Sequence, residues 1–181
     1  DDLSRGLGDV YKRQNMTIVK PHPHLHKASF VLVGTGTVIM VFSGLITDGH
    51  PLLNNYIPML DNVIFGAGLL LFGIGILLQA VYAALGPVAK ETGMAAVWGA
   101  KTIALIIIMA LAAIGASWYQ LHQHGGTTLY DAADYYERLF WGGGHILQFA
   151  YTQLLLLIWL RLASILNVGK FPSSRMVIGL Y

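Results

Sequence analysis

Cysteine is absent from the chain. That excludes a disulfide and a thiolate metal site, leaves the redox compartment unread, and leaves histidine, carboxylate or a bound cofactor as the means of holding a metal. Charge is scarce too: only 11% of residues are Asp, Glu, Lys or Arg, while 55% are hydrophobic, and the apolar residues come in long uninterrupted runs. This composition excludes a water-soluble globular domain and predicts a membrane protein. The few basic residues neither cluster on one helix face nor interleave with exposed aromatics, so nothing points to nucleic acid. No nucleophile and base stand in a pattern that suggests covalent catalysis. Lipid is the expected surrounding.

The N-terminus needs separate treatment. Ser4 to Gln14, "SRGLGDVYKRQ", can be back-translated into a run of codons that resembles a sequencing-library transposon adaptor. Residues 1 to 14 are therefore expected to be artefact, and residues 15 to 181 part of a longer membrane domain.

Four segments are long enough to cross a hydrocarbon core of about 30 Å at about 1.5 Å per residue: roughly 28–47, 62–85, 95–119 and 139–166. The connectors "TDGHPLLNNYIPMLD", "GPVAKETG" and "HQHGGTTLYDAADYYER" carry the Gly, Pro, Asn and Asp of helix ends and turns. The expected fold is an all-α, polytopic transmembrane bundle of four spans. Lys20, Lys27, Lys90, Lys101, Arg161, Lys170 and Arg175 fall on the side of both termini, and Arg138 stands opposite. That bias predicts cytoplasmic N- and C-termini.

Small residues in "GTGTV" of the first span and "FGAG" and "FGIG" of the second predict close helix packing. A phosphate-cradling loop is not expected from "GTGT", because no strand precedes it and no lysine follows in register. Lys101, about a turn inside the third span, is expected to lift its ammonium to the interface.

The fourth span begins "ERLFWGGGHILQFAYTQ", which puts His145 behind three glycines and inside apolar sequence. At roughly 100° per residue, His145, Gln148 and Thr152 lie at about 0°, 300° and 340°, in one polar stripe that should face protein or cofactor. Two readings follow for a costly intramembrane imidazole: a hydrogen bond across a helix interface, or ligation of a metal or haem. Gly142 to Gly144 leave space for a flat cofactor or for a tightly packed neighbour. The other histidines are weaker candidates. His22, His24 and His26, in "HPHLH", read as a flexible solvated loop, and His50, His122 and His124 sit beside turn residues.

Glu137 to Ala163, "ERLFWGGGHILQFAYTQLLLLIWLRLA", resembles the sixth transmembrane helix of haem–copper oxidase subunit I proteins. Asn54 to Gln79, "NNYIPMLDNVIFGAGLLLFGIGILLQ", is similar to the connector and fourth helix of the same family. The resemblance covers nearly everything after residue 15 and maps the four spans onto the family's helices three to six. A third helix that begins in the cytoplasm agrees with the charge bias.

The resemblance implies a respiratory terminal oxidase of the bacterial inner membrane. Such a protein passes electrons from cytochrome c or quinol, through haem and a haem–copper centre, to oxygen, moves protons outward and works with other oxidase subunits. His145 matches the sixth-helix histidine that binds copper, with Gln148 and Thr152 as candidates to orient it. Most copper and haem ligands would lie outside the chain, which alone should be inactive.

The chain departs from the family at one position: where many members carry a tyrosine one turn after this histidine, it has Phe149, and Tyr151 points elsewhere. Nitric oxide reductase-like members of the superfamily therefore stay open as an alternative. So does a non-catalytic transporter or assembly protein, whose histidine would contact a proton or substrate.

Overall fold

The computed structural model describes residues 19–20, 22–88 and 94–165. The adaptor-like stretch, Lys90, Glu91, Lys170 and Arg175 lie outside them. Among the described residues, four long helices, each apolar enough to cross a membrane, form the molecule: α1 (Pro23–Ile46), α2 (Val63–Leu85), α3 (Met94–Gln123) and α4 (Ala132–Ile165). A small antiparallel hairpin, β1 (His50–Leu52) and β2 (Met59–Asp61), lies between α1 and α2, with His50 opposite Asp61 and Leu52 opposite Met59. The chain is thus an all-α, multi-pass membrane protein with one hairpin inserted in its first connector.

Helix ends follow local chemistry. At α1, His22 takes an extended backbone and its Nδ1 accepts from the Leu25 N–H, while Pro23 occupies the first turn, where its missing N–H costs nothing. The "HPHLH" stretch is therefore helical from Pro23, not a flexible loop. His26 is also tied down, its Nδ1 lying 3.0 Å from Gln79 Oε1 of α2. At α2, Asn62 Oδ1 accepts from the N–H groups of Ile64 and Phe65. The fourth helix starts seven residues ahead of the apolar run because Asp131 Oδ1 accepts from the Asp134 N–H at 2.8 Å, and Arg138 pairs with Asp134 one turn on. At about 1.5 Å per residue its 34 residues reach about 51 Å, well past the hydrocarbon thickness.

The α1–α2 seam is built from small residues seven apart. Ser29, Gly36 and Ser43 are the buried residues of α1; Gly36 meets Gly68 of α2, and Ser29 meets Gly75. A Cβ on Gly36 would lie 2.5 Å from the Gly68 carbonyl oxygen and 2.6 Å from the Phe72 nitrogen, and one on Gly68 would lie 2.9 Å from the Gly36 oxygen. Ser29 Oγ donates to the Gly75 carbonyl at 2.8 Å. The helices touch backbone to backbone, as expected where no hydrophobic effect drives association. Only the second glycine of each pair is used: Gly34, Gly66 and Gly73 face open space.

At the end of the bundle away from the hairpin, the chain entering α1 is fastened to the end of α2. The Lys20 N–H donates to the Pro87 carbonyl at 2.8 Å, and Tyr82 Oη donates to the Lys20 carbonyl at 2.6 Å. Lys101, expected to lift its ammonium to the interface, extends it to the end of α2. Its ammonium donates at 2.6 Å to the carbonyl of Ala84, one of the unpaired carbonyls in the last turn of α2.

Candidate functional site

The hairpin end holds the main apolar cluster. Met59, Leu121, Tyr135, Leu139 and Phe140 are buried there, with Tyr56, Ile57, Phe65 and Ile114 packed against them. This cluster seats the hairpin on the first turns of α4 and the end of α3, and a polar clamp adds to it. Asn55 Nδ2 donates to Glu137 Oε1 at 2.6 Å, and the Asn55 N–H donates to Glu137 Oε2 at 3.2 Å.

This seating brings Tyr56 onto His145. The phenol oxygen lies 2.7 Å from Nδ1 and 2.9 Å from Nε2 of the imidazole, and the ring centroids are 4.9 Å apart. On the helix itself, Nδ1 lies 2.8 Å from the Trp141 carbonyl oxygen, and the Trp141 ring tilts against the imidazole at 4.4 Å. A carbonyl only accepts, so the Nδ1 that faces it carries the hydrogen and Nε2 keeps the lone pair. The Tyr56 oxygen, close to both ring nitrogens, lies against the imidazole between them and not on the Nε2 lone-pair axis. His145 is part-buried, about ten residues beyond Tyr135 on a continuous helix.

The three glycines ahead of it divide the work. A Cβ on Gly144 would run into the Tyr56 ring, and one on Gly143 would lie 2.7 Å from the Ala110 carbonyl oxygen of α3 and against Ile114. Gly142 faces open space. Of the two occupants that the glycines left open, a tightly packed neighbour is what fills Gly143 and Gly144.

Gln148 and Thr152 were expected to support the imidazole. Both are exposed, neither hydrogen-bonds to His145, and the Thr152 hydroxyl donates to the Gln148 carbonyl of its own helix at 3.0 Å. The face of α4 turned to α3 carries Gly143, Ala150 and the part-buried Gln153, whose Oε1 has no partner among the described residues. Phe149 and Tyr151 are exposed. The groups that orient the imidazole are the Trp141 carbonyl and Tyr56, and the sequence reading missed both. The glycine at 144 was the available signal that a bulky group lies there, but not which one.

Among the described residues, no three of His, Asp and Glu gather into a group able to hold a metal ion. Among the described residues the site thus offers one oriented imidazole.

No protein-family profile matches the chain, and no solved structure matches it. The chain is similar to an uncharacterized protein of Rickettsia prowazekii (strain Madrid E), 40% identical over 66 residues. The match takes in 36% of this chain and spans 13% of that protein's length.

Proposed function

We propose that the chain is part of a subunit I-like protein of the haem–copper oxidase superfamily, in a bacterial inner membrane, with His145 as its contribution to a copper site. The observation that carries this reading is the hydrogen bond from His145 Nδ1 to the Trp141 carbonyl. Metal-binding histidines commonly donate their second ring nitrogen to a carbonyl or carboxylate, which fixes the tautomer and turns the free lone pair toward the metal. Here that lone pair is on Nε2, and a neutral imidazole suits copper in either oxidation state.

Three further features support the reading. The imidazole sits on a rigid helix, a few residues inside the apolar segment. The excess of Lys and Arg at the end away from the hairpin favours cytoplasmic termini, which puts His145 in the outer half of the membrane. The lone imidazole fits a chain whose remaining copper and haem ligands belong to other helices of a longer protein. Bound there, copper and haem would supply electron transfer to oxygen, or to nitric oxide in the alternative member of the superfamily, with cytochrome c or quinol as donor and other oxidase subunits as partners. This chain's share is to hold one nitrogen in place.

A second reading draws on the same contacts. The Tyr56 hydroxyl already lies within 3 Å of both ring nitrogens, as in a histidine that only joins a loop to a helix in a non-catalytic transporter or assembly protein. One experiment separates them. In the complete protein purified from its membrane, His145→Ala should remove copper, measured by elemental analysis, and abolish gas reduction while the low-spin haem spectrum persists. Unchanged copper content and turnover would favour the structural reading.

A further inference from the structure

The end of the bundle away from the hairpin carries positive charge that no carboxylate balances among the described residues. Their acids, Asp48, Asp61, Asp131, Asp134 and Glu137, stand in the connectors and first turns at the hairpin end. Lys20, Lys27 and Lys101 stand at the other. In the sequence Lys90 and Glu91, between α2 and α3, add one charge of each sign.

Two of these lysines converge on the last turn of α2. Val19 and Val88 form an antiparallel bridge, the Lys20 N–H donates to the Pro87 carbonyl, and the Tyr82 hydroxyl donates to the Lys20 carbonyl. The backbone of Lys20 makes these bonds, and its exposed side chain takes no part in them. From α3, Lys101 reaches Ala84, three residues before Pro87, and spends one N–H on its carbonyl with others left over. Trp98 precedes Lys101 by one turn and is 48% exposed, an indole of the kind that settles at the headgroup level of a bilayer.

We propose that the end of α2 seats the phosphate of an acidic phospholipid between Lys101 and Lys20, with Trp98 against its acyl chains. An ammonium at the edge of the hydrocarbon is costly unless paired, and the Ala84 carbonyl accepts a hydrogen bond without supplying a countercharge. A phosphodiester supplies both. Free phosphate shares that chemistry, but the exposed indole beside the lysine and the anionic character of a cytoplasmic leaflet favour the lipid. The site rests on neither His145 nor copper.

The test uses the full chain reconstituted in vesicles, with Trp118→Phe, Trp141→Phe and Trp159→Phe so that Trp98 alone reports. Bromine on acyl chains quenches tryptophan on contact, so mixing brominated phosphatidylglycerol with phosphatidylcholine gives the relative affinity of the two lipids beside Trp98. The ratio should favour the acidic lipid several-fold at low salt and fall as salt screens the charges. Lys101→Gln and Lys20→Gln should each lower it by up to about fivefold, what one lysine near a membrane surface contributes. Lys20→Gln leaves every bond described above in place, so it reads charge alone. A protein that keeps only Trp118, 51% exposed near the hairpin end, should show no preference.

Equal affinity for both lipids at Trp98, the same preference at Trp118, or a ratio unmoved in both lysine variants would overturn the site. So would a Trp98 that no brominated lipid quenches, since protein then covers it. Millimolar inorganic phosphate at constant ionic strength is the remaining arm: a ratio that holds supports the lipid, and one that collapses assigns the lysines to the free anion and overturns the lipid.

Discussion

Asn55 and Glu137, 82 residues apart in the chain, meet through two hydrogen bonds that fill both oxygens of the carboxylate. One comes from the amide side chain and the other from the backbone N–H of the same residue, so the contact fixes the position of the hairpin as well as its proximity. Hydrogen bonds to a charged group exceed the ordinary net value, but this pair is part-exposed, which places its worth at about 1 kcal/mol. Glu137→Ala should therefore speed amide hydrogen exchange across residues 50 to 61 by about fivefold, with little change in the middle of α2. Equal protection in both proteins would show that the apolar cluster alone seats the hairpin.

The mutual approach of Gly36 and Gly68 predicts a sharp positional contrast. Gly36→Val or Gly68→Val would drive side-chain atoms into the backbone of the opposite helix, a form of overpacking worth about 1–3 kcal/mol. Alanine at Gly34 or Gly66, which face open space, should leave the melting temperature in detergent unchanged or slightly raised. Equal loss at all four positions would argue against the seam.

Ser29 supplies the polar part of that seam. Its hydroxyl donates to the Gly75 carbonyl across the helix pair. Hydrogen bonds between membrane helices average about 0.6 kcal/mol, so Ser29→Ala should cost about that much. Since Gly75 leaves no room for more bulk, with a Cβ there meeting Val33 Cγ2 at 2.7 Å, Ser29→Val should cost more than Ser29→Ala. Reversible unfolding in mixed detergent would measure both, and a larger loss for alanine would sink this account.

The glycine triplet before His145 should respond unevenly. Gly142→Ala enters open space in a helix interior and should gain up to about 1 kcal/mol. Gly144→Ala puts a methyl group into the Tyr56 ring and should lose about 1–3 kcal/mol while unseating the phenol from the imidazole. Imidazole nitrogen chemical shifts of His145 should change in Gly144→Ala and stay as they are in Gly142→Ala. The reverse order would contradict the packing described here.

The spans were legible because apolar runs report on lipid whatever their partners. The 62–85 expectation differs from α2 (Val63–Leu85) by one residue. The first two turns of α4, "AADYYER", were hidden because they are polar, and what makes them helical is the Asp131 cap, the Asp134–Arg138 pair and the burial of Tyr135. "HPHLH" misled for a related reason: alternating Pro and His reads as a loop until His22 is seen as a cap and Pro23 as a first-turn residue. His145 stood out because a histidine in an apolar run is rare. Tyr56 did not, because it has no local pattern and its contact is made only in three dimensions.

The separation of Tyr56 and His145 along the chain has a consequence for biogenesis. Tyr56 emerges from the ribosome before α2, and its partner follows 89 residues later in α4. For the time that two intervening spans are being threaded into the bilayer, the tyrosine waits without its imidazole. A probe attached at that phenol would thus report, during synthesis, the moment when α4 takes its place.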